Sequence, residues 1–212
     1  MSEMLVLDFD KTLADTDGLF DVLCETAEQV EAGLGLELFE YNANRMAAGD
    51  QREMFRPDVV LGDRAVEVFA TFSALVAGSD KEYIFEDAER LLKKVKDLGR
   101  AAVILTFGDE AWQRAKIEAI LGSAGYDLPV VYTEEKIKSK VLEGAWSEER
   151  QVYELNSVSA GGIVGVGDER SDFVGYENLP NARGYIKNRR QLSDLPENVQ
   201  SIGSLDEIEL SA

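Results

Sequence analysis

The sequence has no histidine and a single cysteine, Cys24, in 212 residues. Without histidine, Ser-His-Asp and Cys-His nucleophilic schemes, imidazole zinc sites and histidine acid–base catalysis all fall away. One cysteine excludes an internal disulfide and any cysteine-cluster metal site. Proton transfer is left to carboxylates, lysine, tyrosine or water. Positive charge is scarce too: 22 lysines and arginines stand against 41 aspartates and glutamates, a net charge of −19. Such a chain repels a nucleic-acid backbone or an anionic membrane, so neither is expected as a partner. A small anionic substrate would need local help from a metal ion or a few well-placed cations. Long apolar runs are missing, and none approaches the roughly 20 residues that cross a bilayer. The N-terminal apolar run has no basic region before it and carries acidic residues. A secretory signal is therefore not expected, and a cytoplasmic location is.

What is present is the composition of a globular chain, 45% hydrophobic and 30% charged, long enough for one substantial domain with a smaller insertion. Met4 to Leu7 is a short apolar run of the kind that forms a buried parallel strand. Similar runs recur at Ala101–Thr106, Leu128–Tyr132, Gly162–Gly167, Ala182–Ile186 and Val199–Ile202. Helical patterns stand between them over Phe85–Leu98, Trp112–Leu121 and Lys138–Trp146, and a helix is the expectation for Glu148–Leu155. Strands alternating with helices predict an α/β fold, a doubly wound parallel sheet. Residues 17–79 differ, with helical periodicity and no strand alternation. One helix covers Phe20 to Val30 with Asp17 or Asp21 as its cap, a second covers Leu38–Ala48 and stops at Gly49-Asp50, and a third presents Ala65, Phe69, Phe72 and Val76. This predicts a small inserted α-helical cap, with 1–16 and 80–212 forming the core.

The first strand ends in Asp8-Phe9-Asp10-Lys11-Thr12-Leu13. Alternate residues of a strand share a face, so Asp8 and Asp10 are expected to leave its carboxyl end together, where ligands bind in open α/β sheets. Two such anions either cap the strand or take a cation between them, and a hard divalent ion such as Mg²⁺ suits oxygen ligands. Thr106 closes the second strand, and its hydroxyl with the Phe107 and Gly108 amides suits an anion such as phosphate. The fourth strand ends in Gly165-Val166-Gly167-Asp168, with Asp172 four residues on. An acid at that position excludes a pyrophosphate-binding glycine loop, and close-approach glycines followed by acids suit a metal instead. Lys136, Lys138 and Lys140 cluster where a helix begins.

With these stretches in this order, the chain resembles the haloacid dehalogenase-like hydrolase superfamily, most of whose members are phosphatases. Asp8-x-Asp10-x-Thr12 resembles its first motif, Thr106 its second, and Gly167-Asp168 with Asp172 its fourth. The resemblance implies that Asp8 is a nucleophile forming an aspartyl-phosphate and that Asp10 is the general acid and base. It implies Mg²⁺ held by Asp8, the Asp10 carbonyl and Asp168, with Asp172 in support. Thr106, Phe107 and Gly108 would hold phosphoryl oxygens with a lysine, and Lys138 fits best because Val141 and Leu142 follow as in the family's pattern. The implied partner is a small phosphorylated metabolite, and the implied reaction is phosphomonoester hydrolysis. A phosphomutase or a regulatory phosphate-binding relative shares these features.

Overall fold

The computed structural model describes residues 2–48, 54–188, 192 and 194–210. In chain order the elements are β1 (Glu3–Leu7), α1 (Thr16–Val30), α2 (Leu34–Ala47), α3 (Asp58–Leu61), α4 (Ala65–Ala77), α5 (Glu86–Asp97), β2 (Ala102–Phe107) and α6 (Glu110–Ile117). They continue with β3 (Val130–Thr133), α7 (Lys138–Ala145), β4 (Trp146–Ser147), β5 (Val152–Leu155), β6 (Val158–Ala160), β7 (Gly162–Gly167), β8 (Ala182–Lys187) and β9 (Val199–Ile202).

Six strands form one sheet in the order β3-β2-β1-β7-β8-β9, and the pairings of β1 with β2 and β7, β7 with β8, and β8 with β9 are parallel. The expected doubly wound α/β architecture is thus what forms. β1 is apolar throughout its buried length, as a strand flanked on both sides must be. Chain direction across the sheet reverses at β1: β2 and β3 add on one side, β7 to β9 on the other. That reversal opens a crevice at the carboxyl ends of β1 and β7, the usual ligand position in such sheets. Below it, Met4, Val6, Val103, Leu105, Leu142, Tyr153, Ile163 and Phe173 form one buried apolar cluster. Burial of each aliphatic side chain contributes about 1.5–3 kcal/mol.

The chain divides into two compact units, Met1–Ala14 with Ile84–Thr106 and Leu128–Ala212, and Asp15–Tyr83 with Phe107–Asp127. The second unit is helical. Residues 17–79 lie within it, and it also takes in Phe107–Asp127, which sequence placed in the core. Aromatic packing accounts for the grouping: Trp112 of α6 stacks on Phe69 of α4 at 5.9 Å between ring centroids and meets Phe72 edge-on at 4.9 Å. In this unit α1 is capped by Asp15, whose side chain accepts from the Gly18 amide at 3.1 Å, not by Asp17 or Asp21. The second helix begins at Leu34, earlier than Leu38, because Gly33 takes φ 92° and Gly35 lies inside the helix, where a Cβ would collide with the Cys24 carbonyl of α1. The Gly49-Asp50 break lies outside the described residues.

One expectation fails outright in the first unit. Glu148–Leu155 is not helical; Val152–Leu155 is a strand of a separate antiparallel sheet, β4-β5-β6. Leu155 pairs with Val158 across a two-residue turn in which Asn156 and Ser157 have φ 42° and 68°. Positive φ at both positions is the type I′ hairpin signature.

Candidate active site

Asp8 follows β1 directly, and its amide donates to the Val166 carbonyl at 2.8 Å, carrying the β1–β7 pairing one residue past the strand. The carboxylate is thereby fixed at the crevice, with only 8% of the residue exposed. Asp168 follows the end of β7, and Asp172 lies in the 3₁₀ turn Arg170–Phe173. One oxygen from each of Asp8, Asp168 and Asp172 lies within 4.8 Å of the others. Two glycines allow this turn to fold back. A Cβ on Gly167 would strike the Asp172 carboxylate, and one on Gly165 would strike the Tyr176 hydroxyl. Asp172 also accepts from the Glu169 amide at 3.1 Å, so the helix-capping and site-building uses of this acid coexist.

Lys138 begins α7 and is buried, with its Nζ 2.5 Å from Asp8 Oδ1 and 2.7 Å from Asp172 Oδ1. Lys140 instead points to the exposed Glu135 at 3.2 Å, and Lys136 is half-buried. Of the three lysines left open by sequence, the structure brings only Lys138 to the carboxylates among its described ion pairs. Thr12 supplies a link that the motif pattern alone gives no role: its buried hydroxyl donates to Asp8 Oδ2 at 2.9 Å and approaches Asp168 Oδ1 at 3.3 Å. The signal was present as a Thr four residues after Asp8, on the loop that must turn back over the strand end.

The electrostatics of this cluster are unbalanced. Lys138 pairs with Asp8 and Asp172, and an oxygen of Asp168 lies within 4.8 Å of theirs, so carboxyl groups outnumber the facing ammonium in a largely buried space. Burial pushes the Asp8 carboxyl up to about 8, against the pull of Lys138 and helped by Asp172, Asp168 and Asp10. Burial and the Asp172 charge push Asp168 up to about 6. Burial lowers Lys138, but the facing Asp8 and Asp172 charges overcome it and hold the ammonium above its ordinary value. An all-oxygen donor set in which carboxyl groups outnumber the facing ammonium fits a hard divalent cation such as Mg²⁺.

For Asp10 the shared-face expectation does not hold. Its carboxylate does not join the cluster of Asp8, Asp168 and Asp172. The shared-face argument required a strand through residue 10, but β1 ends at Leu7 and the chain then turns, with Lys11 at φ 59° and Asp10 bridged to Ala14. Thr106 is where sequence put it, one position beyond Leu105 near the end of β2; Leu7 pairs with Ile104, two residues before it. Its hydroxyl is buried and has no hydrogen-bond partner among the described residues. A buried, unsatisfied hydroxyl at a strand end is suited to a ligand oxygen. Phe107 ends β2 and Gly108 follows at φ 147°, and both group with the helical unit; Gln113 donates to the Phe107 carbonyl at 2.9 Å.

Comparison with known proteins agrees with this geometry. Residues 3–172 match the family model described as haloacid dehalogenase-like hydrolase. A search of the curated proteins returns no match. Among solved structures, a haloacid dehalogenase-like hydrolase from Burkholderia xenovorans superposes with a TM-score of 0.58 at 16% identity, covering 97% of this chain and 94% of that one. The hydrolase YfnB from Bacillus subtilis, solved with magnesium, gives 0.57 at 15% identity, covering 97% and 96%. CbbY from Rhodobacter sphaeroides, solved with xylulose-(1,5)bisphosphate, gives 0.55 at 17% identity, covering 98% and 96%. At such identities these likenesses are of fold, whereas the family match spans most of the chain and all the strand-end acids. The chain belongs to the haloacid dehalogenase-like hydrolase family.

Proposed function

We propose that this protein is a Mg²⁺-dependent phosphatase that hydrolyses a small phosphomonoester through an aspartyl-phosphate on Asp8. The observation that carries this reading is the convergence of Asp8, Asp168 and Asp172, two of them paired with the Lys138 ammonium, so that carboxyl groups outnumber the facing cation. Asp8, Asp168 and Asp172, with the Asp10 backbone, would hold the cation, which supplies charge neutralisation between an anionic nucleophile and an anionic phosphate. Asp8 attacks phosphorus as the ester P–O bond breaks, and Asp10 gives its proton to the leaving oxygen. Asp10 then takes a proton from water, which attacks the acyl phosphate, releasing inorganic phosphate and restoring the Asp8 carboxylate. Lys138 and the Thr106 hydroxyl, which has no hydrogen-bond partner among the described residues, hold the phosphoryl oxygens, the positioning that dominates phosphoryl transfer. A carboxyl acid at Asp10 favours an oxygen leaving group over a halide, which needs no proton. The magnesium bound to YfnB and the sugar bisphosphate bound to CbbY are consistent with the same chemistry. The proposed substrate is a small phosphorylated metabolite in the cytoplasm, whose charge would be met locally by Lys138 and the cation against a chain of net charge −19.

The test is phosphate release from an aryl phosphate and a metabolite panel, with Mg²⁺ or with EDTA. Release with Mg²⁺ alone, lost in Asp8→Asn, is expected. Equal turnover in Asp8→Asn, with a contaminating phosphatase excluded, refutes the nucleophile. Halide release from a haloacid without phosphate release from any ester refutes the phosphatase.

A further inference from the structure

Away from the carboxylate cluster, the largely buried ion pair of Lys187 and Asp87 stands out, because its other contact is the backbone of the loop that carries Thr12. Lys187 ends β8, and its Nζ lies 2.9 Å from Asp87 Oδ1 and 3.3 Å from the Thr12 carbonyl oxygen. The ammonium also sits 4.4 Å from the centroid of the Phe85 ring. Asp87, in the first turn of α5, accepts on its other oxygen from the Leu205 amide at 3.0 Å and the Ser204 hydroxyl at 3.4 Å. Phe85 itself donates its amide to the Leu13 carbonyl at 2.9 Å. Two successive carbonyls of the loop, those of Thr12 and Leu13, are therefore gripped by one corner built from Phe85, Asp87 and Lys187.

We propose that Lys187, oriented by Asp87, is a positioning residue for the reaction: it fixes the loop through the Thr12 carbonyl so that the Thr12 hydroxyl holds the Asp8 carboxylate in its reactive orientation. The path is short and physical. A largely buried charge-assisted hydrogen bond holds the backbone of Thr12, and Thr12 holds Oδ2 of Asp8 while Lys138 holds Oδ1. Both oxygens of the nucleophile are then fixed from different directions. An ion pair serving only to join α5 to β8 could lie anywhere along the strand edge; this one ends on the loop carrying the nucleophile's partner. Loss of a group that hydrogen-bonds a metal ligand directly, as Thr12 does Asp8, commonly costs about 10- to 100-fold in activity or metal affinity, and Lys187 acts through that group.

The inference rests on the phosphatase reading, but its test separates the two. Lys187→Met keeps the stem and removes the ammonium, and Lys187→Arg keeps the charge and donors. We expect Lys187→Met to lower kcat at least tenfold with KM for aryl phosphate within threefold, Lys187→Arg to recover most of that loss, and Mg²⁺ alone to bind the Lys187→Met protein more weakly by calorimetry. In a Thr12→Val background, Lys187→Met should add less than a threefold further loss, because the residue acts through Thr12. Asp87→Asn provides a second route if Lys187→Met does not fold, with the same expected kcat effect in smaller measure. Full additivity with Thr12→Val, or unchanged kcat and Mg²⁺ affinity in folded Lys187→Met or Asp87→Asn, overturns the proposal. If the parent protein binds Mg²⁺ but hydrolyses no ester, the phosphatase reading fails, and the calorimetric comparison still decides the positioning role.

Discussion

Lys138 and Asp8, 130 positions apart in sequence, meet at 2.5 Å, the ammonium at the start of α7 against the carboxylate at the end of β1. The same ammonium is shared with Asp172, so it is the cation that holds the β1, β7 and α7 ends in one cluster. Lys138→Ala should therefore act on both activity and stability. Loss of a cation facing the transferring phosphoryl group costs about a hundredfold or more in rate. Leaving carboxylates buried and uncompensated costs about 3–5 kcal/mol when no divalent ion is bound. Lys140→Ala, which removes only an exposed pair with Glu135, should stay within a few-fold of the parent. Steady-state kinetics and thermal melts with and without Mg²⁺ check all of this; a Lys140→Ala loss as large as that of Lys138→Ala would contradict it.

The raised carboxyls make the metal-free protein sensitive to pH. Unfolded, Asp8 and Asp168 ionise near 3.8; folded, they retain protons up to about 8 and about 6. The folded state thus binds more protons than the unfolded one across that interval. Their contribution is fully present below about pH 4 and is lost as pH rises through about 6 and about 8. Asp87 runs the other way: burial pushes its carboxyl up, but the Lys187 and Leu205 hydrogen bonds win and hold it below its ordinary value. Its contribution is present above the ordinary carboxylate range and lost in acid. Metal-free protein should accordingly melt lower at about pH 8.5 than at about pH 5.5, with Mg²⁺ raising the melting temperature more at the higher pH. Asp168→Asn should reduce that slope and also reduce the Mg²⁺ response. An unchanged slope in Asp168→Asn would exclude Asp168 and leave Asp8, the carboxyl raised further, as the source of the pH dependence.

Gly167 offers a test of the cluster that touches no charged residue. Its Cβ position is occupied by the Asp172 carboxylate, so Gly167→Ala must move Asp172 away from Lys138 or shift the turn. Overpacking of this kind costs about 1–3 kcal/mol. Because the displaced group is Asp172, activity should fall by more than the loss of folded protein explains. Gly122→Ala, where nothing lies near the added carbon, is the control. Equal specific activity of folded Gly167→Ala and parent would show that Asp172 is not needed where it sits.

The sheet is legible because its central strands, β1, β2 and β7, are short apolar runs followed within a residue or two by a polar or acidic residue, and β9 forms over the expected Val199–Ile202. The convergence of Asp8 and Asp168 was legible for a related reason: each lies just beyond the carboxyl end of one of two neighbouring parallel strands, with Asp172 brought back by the turn after β7. Asp10 was harder, since a period of two applies only while the strand lasts and β1 stops at Leu7. The link from Thr12 to Asp8 needs the loop to curl back, which no periodicity announces. Trp112 was assigned to the core because helix follows strand there, while its actual partners, Phe69 and Phe72, lie some forty positions earlier. The β5–β6 hairpin is hard to read in sequence because its turn is Asn-Ser, a weaker signal than Asn-Gly, and because Glu148–Leu155 carries charges at helical spacing.

That hairpin supplies the last prediction. Ser157 holds φ 68° at the second turn position, where a side chain is strained and glycine is not. Asn156 at φ 42° tolerates the left-handed region better and its side chain donates to the Val130 carbonyl at 3.0 Å, tying the turn to β3. Ser157→Gly relieves the left-handed cost of about 1 kcal/mol, offset in part by the greater freedom glycine gives the unfolded chain. The net expectation is a gain of a few tenths to about 1 kcal/mol, with kinetics unchanged because the turn lies away from the carboxylate cluster. Asn156→Ala should do the reverse, losing the tie to β3 and adding strain, at a cost of about 1–2 kcal/mol. Denaturant melts of the two variants decide between this and a turn that carries no strain: Ser157→Gly less stable than the parent would mean that Ser157 does not need φ above zero in solution.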